Sequence, residues 1–305
     1  MAAFILRRLA YSVVTLALFL TLIFVLVRLT GNPADLYLPL NSTQEMRDAF
    51  AARIGLDQPL IVQFGRFAFD LLRLDFGQSL IREQSAMAVA LDAFPRTLAL
   101  AAVAMPLALV IAVLVGSIAA YRSRTVGGQV ATVTALAAAS IPDFWIAIMG
   151  VLWFSVMLGW LPTSGTGGWQ YWVLPVVALA ARPAGILAQV VRGTMVQTLT
   201  SPYIKAARAK GIGKSALIFK HAFRNATLPV ITVGGEQLAG ILAGAIVVET
   251  IFGWPGIGKT MIDSILQRDF AVVQASAVVI ASSIFLLNIL IDILYARLDP
   301  RIRLG

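Results

Sequence analysis

Between Arg96 and Arg122 the chain carries no charged side chain, and Thr97 to Tyr121 is a single apolar run interrupted only by Pro106. As a helix, roughly 25 residues at 1.5 Å each reach about 37 Å, enough to cross a hydrocarbon core of about 30 Å with some tilt. A run this long and this apolar cannot lie on a soluble surface. It places the chain in a bilayer, where backbone groups must be satisfied inside the protein and helices or closed barrels are the only spanning forms.

The same pattern recurs along the sequence. Leu9 to Val27 is uncharged between Arg8 and Arg28. Its basic start is signal-like, but Thr30-Gly31-Asn32-Pro33 offers no small-residue cleavage pattern, so the segment reads as a retained anchor. A third stretch runs from Val130 to Leu161 with Asp143 just after Pro142. It is expected to give one span at Ser140 to Trp160, with Val130 to Ala139 as a helical lead-in, because two crossings would demand a tighter turn than the sequence offers. Trp172 to Val191 with Arg182, Pro229 to Val248 with Glu236, and Val272 to Tyr295 with Asp292 complete six spans. The expected fold is an all-α polytopic membrane protein with six transmembrane helices.

Composition agrees and narrows the chemistry. The 305 residues are 59% hydrophobic and 13% charged, against roughly 25% charged in soluble domains. Cys is absent and His221 is the single histidine, so disulfides, thiolate sites and multi-His zinc sites are excluded, as is a Ser-His pair inside the membrane. The net charge of +9 would suit nucleic acid in a soluble protein, but here its placement follows topology. Arg7 and Arg8, then Arg122 and Arg124, then Arg192, Lys205, Arg208, Lys210, Lys214, Lys220 and Arg224, and finally Arg297, Arg301 and Arg303 occupy alternate connections. The intervening connections are neutral or mix acids with bases. By the positive-inside rule both termini and residues 192–228 are cytoplasmic and residues 28–96 are external. No case for nucleic-acid binding remains.

Three domains are expected: an anchor helix at 1–29, an external insertion at 30–96, and a five-helix core at 97–305 that contains a cytoplasmic loop at 199–228. In that loop Ser201 is placed to cap a helix that opens with Pro202, Gly211-Ile212-Gly213 breaks it, and Lys214 to Asn225 forms a second helix before Pro229 opens the next span. The result is a basic helix-turn-helix elbow. It suits either anionic lipid or a protein groove, since Ala206, Ala207 and Ala209 allow close approach. In the external insertion, Ser42 and Glu45 have capping-box spacing ahead of Met46, Phe50 and Ile54, with Gly55 as a stop. Phe64, Phe67, Phe69, Leu71 and Leu72 form a second apolar patch, expected to be small-domain core.

Lys205-Ala206-Ala207-Arg208-Ala209-Lys210-Gly211 resembles the coupling motif of permease subunits in binding-protein-dependent ABC importers, specifically the dipeptide and oligopeptide family. The resemblance extends through Ile54 to Leu60, Leu74 to Ser79, Pro95 to Leu98, Val247 to Gly256 and Leu298 to Arg301, nearly the whole chain. Lys205 stands where the general motif has Glu, and Phe223-Arg224 where it has Leu-Pro; peptide-type members share such departures. The resemblance implies a type I importer permease fold and a non-catalytic, pore-forming subunit that imports dipeptides or oligopeptides. It also implies a second, homologous permease in a heterodimer, two ATP-binding subunits that hold the ATP and Mg, an extracytoplasmic binding protein, and a bacterial inner-membrane location. The elbow, Lys205 to Gly211, would then dock on an ATPase and couple its cycle to alternating access.

Gly253-Trp-Pro-Gly-Ile-Gly258-Lys259-Thr260 also satisfies the phosphate-loop pattern G-x-x-x-x-G-K-[ST]. It is expected to be structural: it falls on the outer face, Pro255 removes a backbone donor, and no α/β repeat surrounds it. Trp254 is expected at the membrane interface. Asp143, Arg182, Glu236 and Asp292 lie within or at the edges of spans, and an unpaired charge at mid-bilayer costs on the order of 3 kcal/mol or more. One reading makes them a translocation path, with Arg182 meeting a peptide carboxylate and Asp143, Glu236 or Glu249 an ammonium. The other pairs Arg182 with Glu236 and lets Asp292 reach the interface. A secondary transporter or channel that works without ATPases is the alternative function, and the internal repeat that such transporters usually show is not found in the sequence.

Overall fold

A computed structural model describes residues 13–25, 38–39, 42–79, 81–213 and 215–298. The helices are α1 (Val13–Val25), α2 (Gln44–Ile54), α3 (Leu60–Arg73), α4 (Ala86–Tyr121), α5 (Val126–Ser140) and α6 (Asp143–Gly150), which continues as a π-helix over Val151–Met157. After these come α7 (Gln170–Leu199), α8 (Pro202–Ala209), a π-helical stretch Ala216–Ala222 running into α9 (Phe223–Phe252), α10 (Ile257–Leu266) and α11 (Phe270–Leu298). Among the described residues the β-structure is one isolated bridge, Gln78 to Ser85. The ends of the first expected span and the Asp299-Pro300-Arg301 motif lie outside the described residues.

Among the described residues, four helices are long and apolar enough to cross a membrane: α4, α7, Ala216–Phe252 and the Phe270–Ile291 part of α11. The α5–α6 pair passes the same test only as two arms bent by 100°, and α1 is a shorter apolar helix. The expected span at Ser140 to Trp160 and its lead-in are thus two helices that meet at Pro142. Pro142 has no N–H to donate and drives Ile141 into extended backbone (φ −80°, ψ 129°), so the helix stops and α6 restarts at Asp143. Its first arm is an element in its own right, opening at Val126 behind Thr125, whose hydroxyl accepts the Gly128 N–H.

Two other boundaries move. α4 starts at Ala86, ahead of Thr97, and carries Asp92 and Arg96 as an i,i+4 ion pair at 3.1 Å. Pro229 lies inside α9 and does not open it, because the preceding turns are already helical. In α2 the cap is Thr43, whose side chain accepts from Met46 N, one residue beyond the expected Ser42; Gly55 closes the helix at φ 72° as anticipated.

The described residues fall into two compact units. One holds Thr97–Trp254 with the end of α11 from Leu286. In it α5 and α7 approach closely: a Cβ on Gly185 would stand 2.5 Å from the Ala135 carbonyl oxygen and 2.5 Å from the Ala139 nitrogen. Small residues let two backbones touch, which is how helices associate where lipid removes the hydrophobic drive. The other unit holds the segments before Thr97 and Pro255–Phe285. Its core joins Val89, Ala90 and Ala93 of α4 to Ile257, Val272 and Ala275. A second cluster joins Phe67 to Leu20 and Phe24 of α1 and Val278 of α11. Phe64 and Leu71 pack on that cluster, but Phe69 and Leu72 are exposed, so the expected small-domain core is only partly core.

Candidate functional site

The elbow is built by three local rules. Pro202 at the first helical position fixes φ and lacks the N–H that would be orphaned there, so α8 starts cleanly. The Ser201 hydroxyl turns back and donates to the Thr198 carbonyl at 2.6 Å instead of capping α8. Gly211, at φ 76°, reverses the chain in the left-handed region, where a side chain would be strained. Ile204 and Leu217 are buried beneath the elbow, and the Asn225 amide donates to the Tyr203 hydroxyl to tie α8 to α9. Lys205, Ala206, Arg208, Ala209, Lys210 and Gly211 are exposed and Ala207 is half-buried. The motif is thus presented outward on a braced turn. The second helix expected from Lys214 is instead π-helical over Ala216–Ala222 and continuous with α9.

The charged residues of the spans have three different settings. Asp143 opens α6 at the bend, with its Oδ1 buried and without a hydrogen-bond partner. Its Oδ2 would lie 2.9 Å from a Cβ on Gly244, so the glycine makes room for the carboxylate. Arg182 is exposed on α7 and acts on Asp143 electrostatically. Glu236 is exposed on α9, on one uncovered face with Gly240, Ala243 and Val247. Among the described residues, no ion pair within 4.0 Å joins Arg182 to Glu236. The structure therefore brings Asp143 and Arg182 into one field and leaves Glu236 apart.

Glu249 is 0% exposed on α9, and the Thr97 hydroxyl of α4 donates to its Oε1. That partner was not foreseen, and an apolar span opening with Thr was its one trace in the sequence. A buried carboxylate depends on such donors, because burying it unpaired is costly. Thr97→Val is expected to cost about 1–3 kcal/mol, read as a lowered unfolding midpoint of the purified protein, whereas Thr97→Ser should hold near wild type. Arg192, also unforeseen, leaves its Nε buried and unpartnered on α7.

The phosphate-loop look-alike is two helix ends. Gly253, at φ 60°, closes α9, and Gly256 precedes α10. Lys259 pairs with Asp263 one turn on, and Thr260 is buried. Trp254 is 4% exposed and meets the Trp172 ring edge-on at 4.7 Å. An apolar cavity of about 210 Å³ among Leu107, Ile111, Ala138, Val177 and Ala181 offers no charge to a peptide.

A family model described as the inner membrane component of binding-protein-dependent transport systems matches residues 112–304. The chain belongs to this family. Similar curated proteins include the glutathione transport system permease protein GsiC of Salmonella paratyphi A, 35% identical over 99% of each chain. The protein of the same name from Escherichia coli strain K12 is 34% identical over 99% of each. These matches agree with the resemblance carried by the motifs, to peptide-type permeases. Among solved structures, an amino acid ABC transporter described with histidines superposes with a TM-score of 0.50 at 18% identity, covering 70% of this chain and 94% of that one. It shows the fold, that of a type I importer permease. The permease is accordingly a multi-pass inner-membrane subunit of an ABC importer, a family whose members work with ATPases and a substrate-binding protein.

Proposed function

We propose that the permease forms one half of the pore of an ATP-driven importer of dipeptides and oligopeptides, paired with a homologous second permease and with two ATPases. Both of its termini would be cytoplasmic. The observation that carries this reading is the elbow, an outward-facing, small-residue, basic turn braced by Ile204, Leu217 and the Tyr203–Asn225 bond. Lys205 to Gly211 dock on an ATPase, whose closure moves α8 and, through the continuous π-helix, α9. Cations on the elbow match an acidic groove rim and fix its register.

The uncovered face of α9 supports the heterodimer. Glu236 among Gly240, Ala243 and Val247 is a poor surface for acyl chains and a good one for a second helix or a water-filled path. Within that path Asp143 receives the ammonium of a peptide, Arg182 its carboxylate, and Glu236 a further cation, while Glu249 holds the end of α9 at the margin of the path. Glutathione, carried by the relatives' named system, is itself a tripeptide with both termini charged, and falls within this substrate class.

If Asp143 meets the ammonium, Asp143→Asn raises KM about tenfold for peptides with a free amino terminus and leaves N-acetylated peptides unchanged, the loss of one charge-assisted contact. Equal losses for both kinds of peptide mean that the residue is only structural. The wider reading is tested by tagging the chain, extracting it in mild detergent and identifying what co-purifies. A second permease and two ATPases are expected; a chain that purifies alone and still moves peptide rejects the reading.

A further inference from the structure

We propose that α3 lies in the membrane interface as a monotopic helix, with one face seated in the acyl chains of the adjacent leaflet, so that the external insertion is anchored to lipid by more than α1. Three observations meet on this helix.

The first is where its packed side rests. Phe64 and Phe67 meet the ring of Phe24 with centroids 5.4 Å away in each case, and Phe67 clusters with Leu20 and Val278. Leu20 and Phe24 belong to the apolar helix α1, and Val278 belongs to α11. α11 opens at Phe270, just past Arg268 and an Asp269 that is buried and accepts from the Ser79 hydroxyl, and Val278 lies eight residues beyond Phe270, roughly 12 Å along the helix. A helix resting against side chains at that distance from the polar end is level with hydrocarbon, within reach of the 5–10 Å typical of interfacial helices.

The second is the order of residues around α3. At about 100° per residue, the packed sector of Phe64, Phe67 and Leu71 passes into a sector of Ile61, Leu72 and Phe69, and then into Arg73, Arg66 and Asp70. The middle sector is apolar yet uncovered: Ile61 is 80% exposed, Leu72 84% and Phe69 52%. An apolar arc continuous with a membrane contact and closed by a polar arc is what a helix in the plane of a bilayer requires.

The third is Arg73, whose guanidinium lies over the Phe69 ring, 4.1 Å from its centroid. This geometry lays the long stem along the apolar sector and carries the charge toward the polar one, as basic side chains do at headgroup level. Arg66 shares that side and adds a second contact for lipid phosphate.

The occupant can be read directly, because the chain has no cysteine of its own. Ile61→Cys, Leu72→Cys, Arg66→Cys and Asp70→Cys would each be spin-labelled in the assembled complex, with partner subunits freed of cysteine, in phosphatidylethanolamine–phosphatidylglycerol vesicles. Collisions with oxygen, which concentrates among acyl chains, are compared with those of a water-soluble nickel chelate. The expected result is a severalfold excess of oxygen over nickel collisions at 61 and 72 and the reverse at 66 and 70. Nickel access at all four positions would overturn the proposal in favour of a water-exposed domain. Exclusion of both reagents from 61 and 72 would overturn it in favour of a protein cover, such as the binding protein.

Discussion

Ala207→Asp is expected to reduce peptide uptake to background while the permease still inserts and reaches normal levels in the membrane. Ala207 is the half-buried member of an otherwise exposed motif. In the proposed docking, a carboxylate there adds bulk and the wrong charge to a face set against an acidic rim. The intrinsic cost within α8 is only about 0.7 kcal/mol, too little to unfold a helix braced by Ile204. The loss should therefore appear as missing ATPase subunits in the purified complex, and uptake near wild type would remove the docking role from the elbow. Gly211 is a less clean probe. At φ 76° any side chain strains the turn by about 1–2 kcal/mol, so its variants combine backbone strain with lost docking.

The second large effect is structural. Gly185→Leu would put a side chain where its Cβ already meets the Ala135 oxygen and the Ala139 nitrogen at 2.5 Å, and both are backbone atoms that no rotamer change can move aside. α5 must separate from α7. Overpacking of this kind costs about 1–3 kcal/mol or more and shows as lower membrane abundance and a lower unfolding midpoint. Gly193→Leu, on the same helix with nothing within 4 Å of the added carbon, serves as the control and should leave both measurements unchanged. An unshifted midpoint for Gly185→Leu would contradict the close α5–α7 contact.

These two sites show what was legible in the sequence. The spans themselves were, since bilayer thickness fixes helix length and charge marks the ends. The elbow was, because Pro202 and Gly211 act locally. Boundaries set by neighbours were not: α4 extends back to Ala86 because Val89, Ala90 and Ala93 find a core with Val272 and Ala275, a pairing far apart in sequence. The Glu249–Thr97 bond spans 152 positions and has no local signature. How far the chain turns at Pro142, 100°, depends on what α6 packs against. The contact of Trp254 with Trp172 likewise joins residues far apart in sequence and has no local signature.

The central claim is that transport through this permease is driven by ATP hydrolysed on partners bound at its elbow. Its most direct test is peptide uptake by vesicles reconstituted with the co-purified complex and a binding protein, with ATP or a non-hydrolysable analogue on the ATPase side. Uptake that requires hydrolysable ATP, survives collapse of every ion gradient and disappears with Ala207→Asp is the predicted result. Uptake by the chain without ATPases, rising and falling with an ion gradient, would contradict it.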